Sequence, residues 1–203
     1  MQHNIVKGET GIDTLRHLAL VTMNTTYPQG KWLHIFTEGS QMDGYINAGV
    51  SIYCELFSCY IPLGRHSTAF DGEIEALRTT LRLLNLHQNK FERAVIFSDT
   101  KAAVLTAGST GTVILTEAKE CQPQIRYLKA RHKQIAQQWI PGHCQIAGNE
   151  HADTLARKVA KITQTHIGET CYRSIKLHLN RCFKVCTDMN WRQNYPKTHG
   201  SKK

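Results

Sequence analysis

The sequence predicts an α/β fold: a mixed five-stranded sheet flanked by helices on both faces. Three observations predict it. Three short β-rich runs come early and in close succession, at 32–36, 46–54 and 56–61, which is how an antiparallel meander reads. Two later apolar runs, at 94–97 and 135–140, are each preceded by stretches of helical period, as strands joined by helical crossovers are. Finally, 203 residues of 41% apolar composition can fill one good core.

Taken in order, residues 10–23 read as a helix, with Thr10 as cap, Asp13 in the first turn and Ile12, Leu15, Ala19 and Met23 on one face. Tyr27-Pro28-Gln29-Gly30 punctuates the chain. The run from Trp32 to Phe36 is a buried strand ending in Thr-Glu-Gly-Ser. The next two runs are close enough to form an antiparallel hairpin. Thr68-Ala69-Phe70-Asp71-Gly72 leads into a helix whose inner stripe is Ile74, Leu77, Leu81 and Leu84. A strand at 94–97 is followed by helical patterns near 101–106 and 113–133, a fifth strand at 135–140 and a closing helix at 149–162. A further helix is expected over Ser174 to Cys186.

The chain carries 25 Lys/Arg against 16 Asp/Glu, a formal charge of +9. The excess is concentrated at the end, where residues 160–203 hold nine basic and two acidic residues. A basic tail beside a nearly neutral body suits an anionic polymer, and a solvated tail is the plainer alternative. No apolar stretch is long enough to span a membrane. The first residues lack the basic-then-apolar order of a secretory signal, so an intracellular location is expected. Seven cysteines without a Cys-x-x-Cys pair argue for reduced thiols, most of them in the core. The division expected is an N-terminal helical extension over 1–30, one domain over 31–162 and a basic tail over 163–203.

Four acidic residues stand where these patterns begin or end: Glu38 in Ile-Phe-Thr-Glu-Gly-Ser, Glu73 in Asp-Gly-Glu-Ile-Glu-Ala, Asp99 in Val-Ile-Phe-Ser-Asp-Thr, and Asp153 in Gly-Asn-Glu-His-Ala-Asp. His143 follows a strand in Trp-Ile-Pro-Gly-His-Cys. Carboxylates at strand ends and helix starts can converge on one edge of a sheet. Four together repel strongly unless cations sit between them, and a hard divalent ion with oxygen ligands suits phosphodiester chemistry.

Those blocks, in that order over roughly Lys31 to Ile162, resemble type 1 ribonuclease H. They are most similar to the ribonuclease H domain of non-LTR retrotransposable-element Pol polyproteins. The resemblance implies the ribonuclease H-like fold and Mg²⁺-dependent endonucleolytic cutting of the RNA strand of an RNA/DNA hybrid. It implies two Mg²⁺ ions, with Mn²⁺ able to substitute, held by Glu38, Glu73, Asp99 and Asp153. Under it Glu38 bridges the ions, Glu73 lies near a 2′-hydroxyl of the RNA strand, and His143 assists proton transfer or product release. It also implies a reverse transcriptase as partner, in the same or an associated polyprotein.

The family has Asp where this chain has Glu38. The extra methylene shifts a carboxylate by about 1 Å, and errors of that size can cost ~10²-fold in rate. Two readings therefore stand: a ribonuclease that tolerates Glu38, and a module that binds nucleic acid without efficient cleavage. A strand-transfer enzyme on the same fold is a third, disfavoured by the His-Cys turn and the Asn-Glu-x-Ala-Asp block.

Each residue also has a plainer role open to it. Asp99 could cap a helix, Glu73 could answer a helix dipole and His143 could simply form a turn. Asp71, Glu75 and Glu150 read as surface charges. Lys129, Arg131 and Lys133 could touch phosphate or complement the end of their helix. His178, Cys182 and Cys186 recur every four residues but fit no zinc pattern, so a half-buried helix face is expected there. Trp191 and Tyr195 could stack on bases, on a weak signal. The short interval at 108–111 leaves no room for an extra basic helix-loop, so the tail is the expected source of that grip.

Overall fold

The structure, a computed structural model, describes residues 11–41, 47–64, 67–100, 116–162, 175–177, 179–180, 183–187 and 189. Its elements run α1 (Ile12–Thr26), β1 (Leu33–Gln41), β2 (Ala48–Tyr53), β3 (Ser58–Gly64), α2 (Ala69–Leu86), β4 (Arg93–Ser98), α3 (Thr116–Ala130), β5 (Gln134–Trp139) and α4 (Ala147–Ala160). The sheet order is β3-β2-β1-β4-β5. β1, β2 and β3 pair antiparallel, while β4 lies parallel to both β1 and β5. The predicted mixed sheet is the observed one.

Two cores sandwich that sheet. On one face Ile35, Ile52 and Ile96 pack with Leu77, Leu81 and Leu84 of α2 and Leu128 of α3. On the other, Phe36, Val95 and Phe97 pack with Ala19 and Met23 of α1 and Ala152 of α4. The inner stripe of α2 is buried as its spacing predicts, with Ile74, Leu77, Leu81 and Leu84 all covered. Each such side chain contributes about 1.5–3 kcal/mol of transfer free energy. The helix is started by a reciprocal box in which Thr68 Oγ1 accepts from the Asp71 amide at 3.2 Å and Asp71 Oδ2 accepts from the Thr68 amide at 2.7 Å. Asp71 is thus a helix-starting residue, not the surface charge expected.

Other expectations are corrected in detail. α1 starts after Gly11 without a side-chain cap, and Thr10 lies outside the described residues. Ile12, the first helical residue, is 58% exposed while Leu15, Ala19 and Met23 are buried. β1 does not end before Thr37. It runs on to Gln41 because Ser40 and Gln41 stay in register with Gly49 and Ala48, so Glu38 stands inside a strand. β3 begins at Ser58, since Glu55 and Leu56 are spent on the turn that the Cys54 amide closes by donating to Phe57 O at 3.0 Å. The helix expected at 101–106 lies outside the described residues.

The expected tail helix is helical at every described position between 175 and 189. Its half-buried face is not observed: Leu179, Phe183 and Val185 are all exposed, Phe183 at 68%. His178 and Cys182, with Trp191 and Tyr195, lie outside the described residues. Cys54, Cys121 and Cys144 are buried, reduced thiols, as core cysteines should be. Among the described residues no helix is long and apolar enough to cross a membrane.

Candidate active site

Parallel pairing of β1 with β4 sets Thr37 beside Ser98, so Glu38, still within β1, and Asp99, the first residue past β4, follow as neighbours. The Thr37 hydroxyl donates to Phe97 O at 3.2 Å across that pair. Glu38 is opposite Ser51 of β2, and the Ser51 hydroxyl donates to Ala152 O at 2.5 Å. That bond pins α4 to the sheet at the residue before Asp153.

Glu73 arrives from the other face. It is the fifth residue of α2, one turn further in than a first-turn acid, a place that Asp71 takes instead, and it is buried against β1 at a crossing that only bare backbone permits. A Cβ on Gly39 would lie 2.7 Å from the Glu73 amide nitrogen, and one on Gly72 would lie 3.0 Å from Gly39 Cα. The Gly39 amide donates to Glu73 Oε1 at 2.5 Å and Ser98 Oγ donates to Glu73 Oε2 at 2.9 Å. Ser98 Oγ in turn accepts from the Thr100 amide at 3.1 Å. Both Glu73 oxygens are therefore oriented before any ligand arrives. Sequence reasoning missed Ser98, although a hydroxyl immediately before Asp99 was there to be read.

Asp99 is fixed through its backbone and its surroundings. Trp139 Nε1 donates to Asp99 O at 2.8 Å. Gly142 lies against the Asp99 carboxylate, in space that a Cβ would take from it. The loop continues through His143 and Gln145, both with positive φ (57° and 56°), a conformation uncommon outside glycine. Glu150 holds this turn by accepting from the Gln145 amide at 3.1 Å, so it too does more than decorate the surface.

One oxygen each from Glu38, Glu73 and Asp99 can be chosen so that all three lie within 4.8 Å of one another. A second such set joins His143, Glu150 and Asp153. His143 Nδ1 is 3.8 Å from Asp153 Oδ2, and Arg157 Nε donates to Asp153 Oδ1 at 2.9 Å. The structure thus gathers three of the predicted acids tightly and sets Asp153 and His143 at the adjoining rim.

The electrostatics follow from burial. Glu38 is 6% exposed, and its carboxyl is pushed up to about 10, first by desolvation and then by Glu73, Asp99 and Asp153, with Arg157 pulling the other way. Desolvation, then Asp99, pushes Glu73 up to about 8 against the opposing hydrogen bonds from Gly39 and Ser98. Glu38 Oε2 is buried without a hydrogen-bond partner among the described residues. A buried oxygen without a hydrogen-bond partner, set among carboxylates, suits the coordination of a cation. The donor set, all carboxylate oxygen, fits a hard divalent ion.

Residues 30–161 match the RNase H family profile. The chain belongs to the RNase H family. As a member it is a ribonuclease H, a hydrolase, and its mixed five-stranded sheet flanked by helices is the RNase H fold. Among solved structures it is similar to an RNase H1 isolated from compost by a metagenomic approach. They share 21% identity at a TM-score of 0.50, over 64% of this chain and 96% of that one. The same compost enzyme in complex with an RNA/DNA hybrid matches at 20% identity and a TM-score of 0.49, over 62% and 94% of the two chains. RNase H1 of the archaeon Halobacterium salinarum matches at 17% identity and 0.49, over 63% and 96%. No curated protein sequence matches the chain.

The basic residues at the end of α3 lie at the far end of the sheet. Lys133 Nζ donates to Phe91 O at 2.7 Å and to Glu92 Oε1 at 3.0 Å. The Arg131 guanidinium lies over the Tyr127 ring at 3.6 Å. Only Lys129 stands in the last turn of α3, where a basic residue complements the helix end; Arg131 and Lys133 lie past that end, and their contacts are packing and pairing within the fold, not the helix-end role expected.

Proposed function

We propose that this ribonuclease H hydrolyses the RNA strand of RNA/DNA hybrids with two Mg²⁺ ions, replaceable by Mn²⁺, held by Glu38, Glu73, Asp99 and Asp153. The observation that carries the reading is the buried carboxylate set around the orphan Glu38 Oε2. Bound divalent ions would supply an activated water and charge stabilisation at the scissile phosphate. The chain's own residues supply the rest. Gly39 and Ser98 hold Glu73 in one orientation, Trp139 and Gly142 fix the Asp99 end, and Ser51 ties the Asp153 helix to β2. Such pre-orientation removes the cost of organising ligands during turnover. His143 is exposed at the rim beside Asp153, placed to carry a proton at the departing phosphate.

The order of motif blocks supports an origin in a retroelement Pol polyprotein, with a reverse transcriptase in the same or an associated polyprotein supplying the hybrid. An intracellular setting accords with that substrate. A second reading, a module that binds hybrid and cuts poorly, is favoured by one observation: Glu38, one methylene longer than the family's Asp, is the carboxyl pushed up furthest.

Cleavage of a labelled hybrid by purified protein, with Mg²⁺ and with Mn²⁺, decides between them. Asp99→Asn should lower the rate at least ~10³-fold, as loss of several kcal/mol of metal-borne stabilisation requires. Hybrid bound but left intact by folded wild-type protein with either ion would end the enzyme reading.

A further inference from the structure

Arg157 has no part in the proposed chemistry, yet it reaches into the acid cluster. It lies one turn beyond Asp153 on α4, and its Nε takes one of the two Asp153 oxygens at 2.9 Å. An Asp–Arg pair at this spacing on an ordinary helix surface is solvated and worth little. Here the two sides differ: the Asp153 side chain is 8% exposed and Arg157 is 48% exposed. A half-solvated cation thus rests on a buried anion. The Asp153 oxygen facing the other way lies toward His143. The field of Arg157 also reaches Glu38, where it alone opposes three carboxylates and burial.

We propose that Arg157 is a built-in counter-cation that competes with a divalent ion for Asp153 and so loosens the ion's hold at this end of the site. Three gathered carboxylates with Asp153 adjoining them would bind divalent cations tightly, and an ion held too tightly does not exchange between turnovers. Arg157 offsets part of that charge while its exposed half lets it swing aside. The guanidinium cannot lose its proton at any working pH, so the offset is permanent. The inference rests on the reading of the acid cluster as a metal site.

The test is Mn²⁺ affinity, read from free Mn²⁺ by paramagnetic resonance at fixed ionic strength, for wild type, Arg157→Gln and Arg157→Lys. Removing the charge should tighten binding about 3- to 10-fold, a Coulomb effect already discounted for the solvent around the guanidinium. Arg157→Lys keeps the charge and should stay within about twofold of wild type. Without metal, Arg157→Gln should melt lower than wild type, and saturating Mn²⁺ should raise its melting temperature by more. Arg157→Met serves as the neutral variant if the glutamine form does not fold. Wild type that binds Mn²⁺ while both neutral variants bind no more tightly would overturn this inference alone. Wild type that takes up no Mn²⁺ would overturn the metal-site reading and this inference with it.

Discussion

The two ends of the sheet handle charge in opposite ways. Where β4 and β5 begin, Lys133 is buried to 12% side-chain exposure but donates to a carbonyl and to Glu92. Its charge is answered within the fold. Where β1 and β4 end, Glu38 and Glu73 are buried among other carboxylates, and the one nearby cation that bears on Glu38 is half in solvent. The fold pairs a cation at one end, and at the other it gathers carboxylates whose burial and mutual repulsion favour bound protons or cations. That contrast separates structural charge from functional charge without appeal to any relative.

The sharpest way to break the comparison is at Glu38. If its length is what weakens the site, Glu38→Asp should raise the cleavage rate by up to ~10²-fold at saturating Mg²⁺. An unchanged or lower rate would show that the site has accommodated the longer side chain. Next in size is Ser98→Ala, which frees one oxygen of a buried carboxyl. Loss of a hydrogen bond to such a group costs about 1–3 kcal/mol. About a tenfold fall in kcat is expected with KM for hybrid little changed, and a shift confined to KM would place Ser98 in substrate binding instead.

The pH dependence of stability comes next. Both glutamates have folded values above the unfolded 4.5, Glu38 at about 10 and Glu73 at about 8. The folded state therefore holds more protons than the unfolded chain between those limits. Stability from these groups is complete below about 4.5 and is lost as pH climbs, through about 8 for Glu73 and about 10 for Glu38. In EDTA the melting temperature should fall from pH 5 to 9, and saturating Mg²⁺ should flatten the fall, because the ion replaces the protons. A melting temperature that rises with pH in EDTA would contradict the picture of an unsatisfied cluster. The smallest effect belongs to the other end. Lys133→Met should lower stability by no more than about 1–3 kcal/mol and leave hybrid affinity within about twofold, measured by titration at fixed salt.

What the sequence disclosed depended on whether a feature is local. The strands, the buried stripe of α2 and the positions of Glu73, Asp99 and Asp153 follow from spacing and immediate context. The Thr68–Asp71 box was equally local and could have been read. Glu38 inside a strand was not legible, because the extension of β1 depends on pairing with residues 48 and 49. Ser98 on Glu73 and Gly142 on Asp99 join residues 25 and 43 positions apart in the numbering, and only the folded chain brings them together. Arg157 was visible four residues after Asp153, yet without knowing that Asp153 is buried it looks like any helical ion pair.

The crossing of β1 and α2 at Gly39 and Gly72 has a consequence for how this chain can change over time. Most positions offer neighbouring substitutions that drift can sample without harm. Here even alanine would push a strand and a helix apart and separate Glu38 from Glu73. A longer or shorter acid changes the reach of its carboxylate without moving the backbone, whereas a side chain added at this seam must move the two elements that carry the acids.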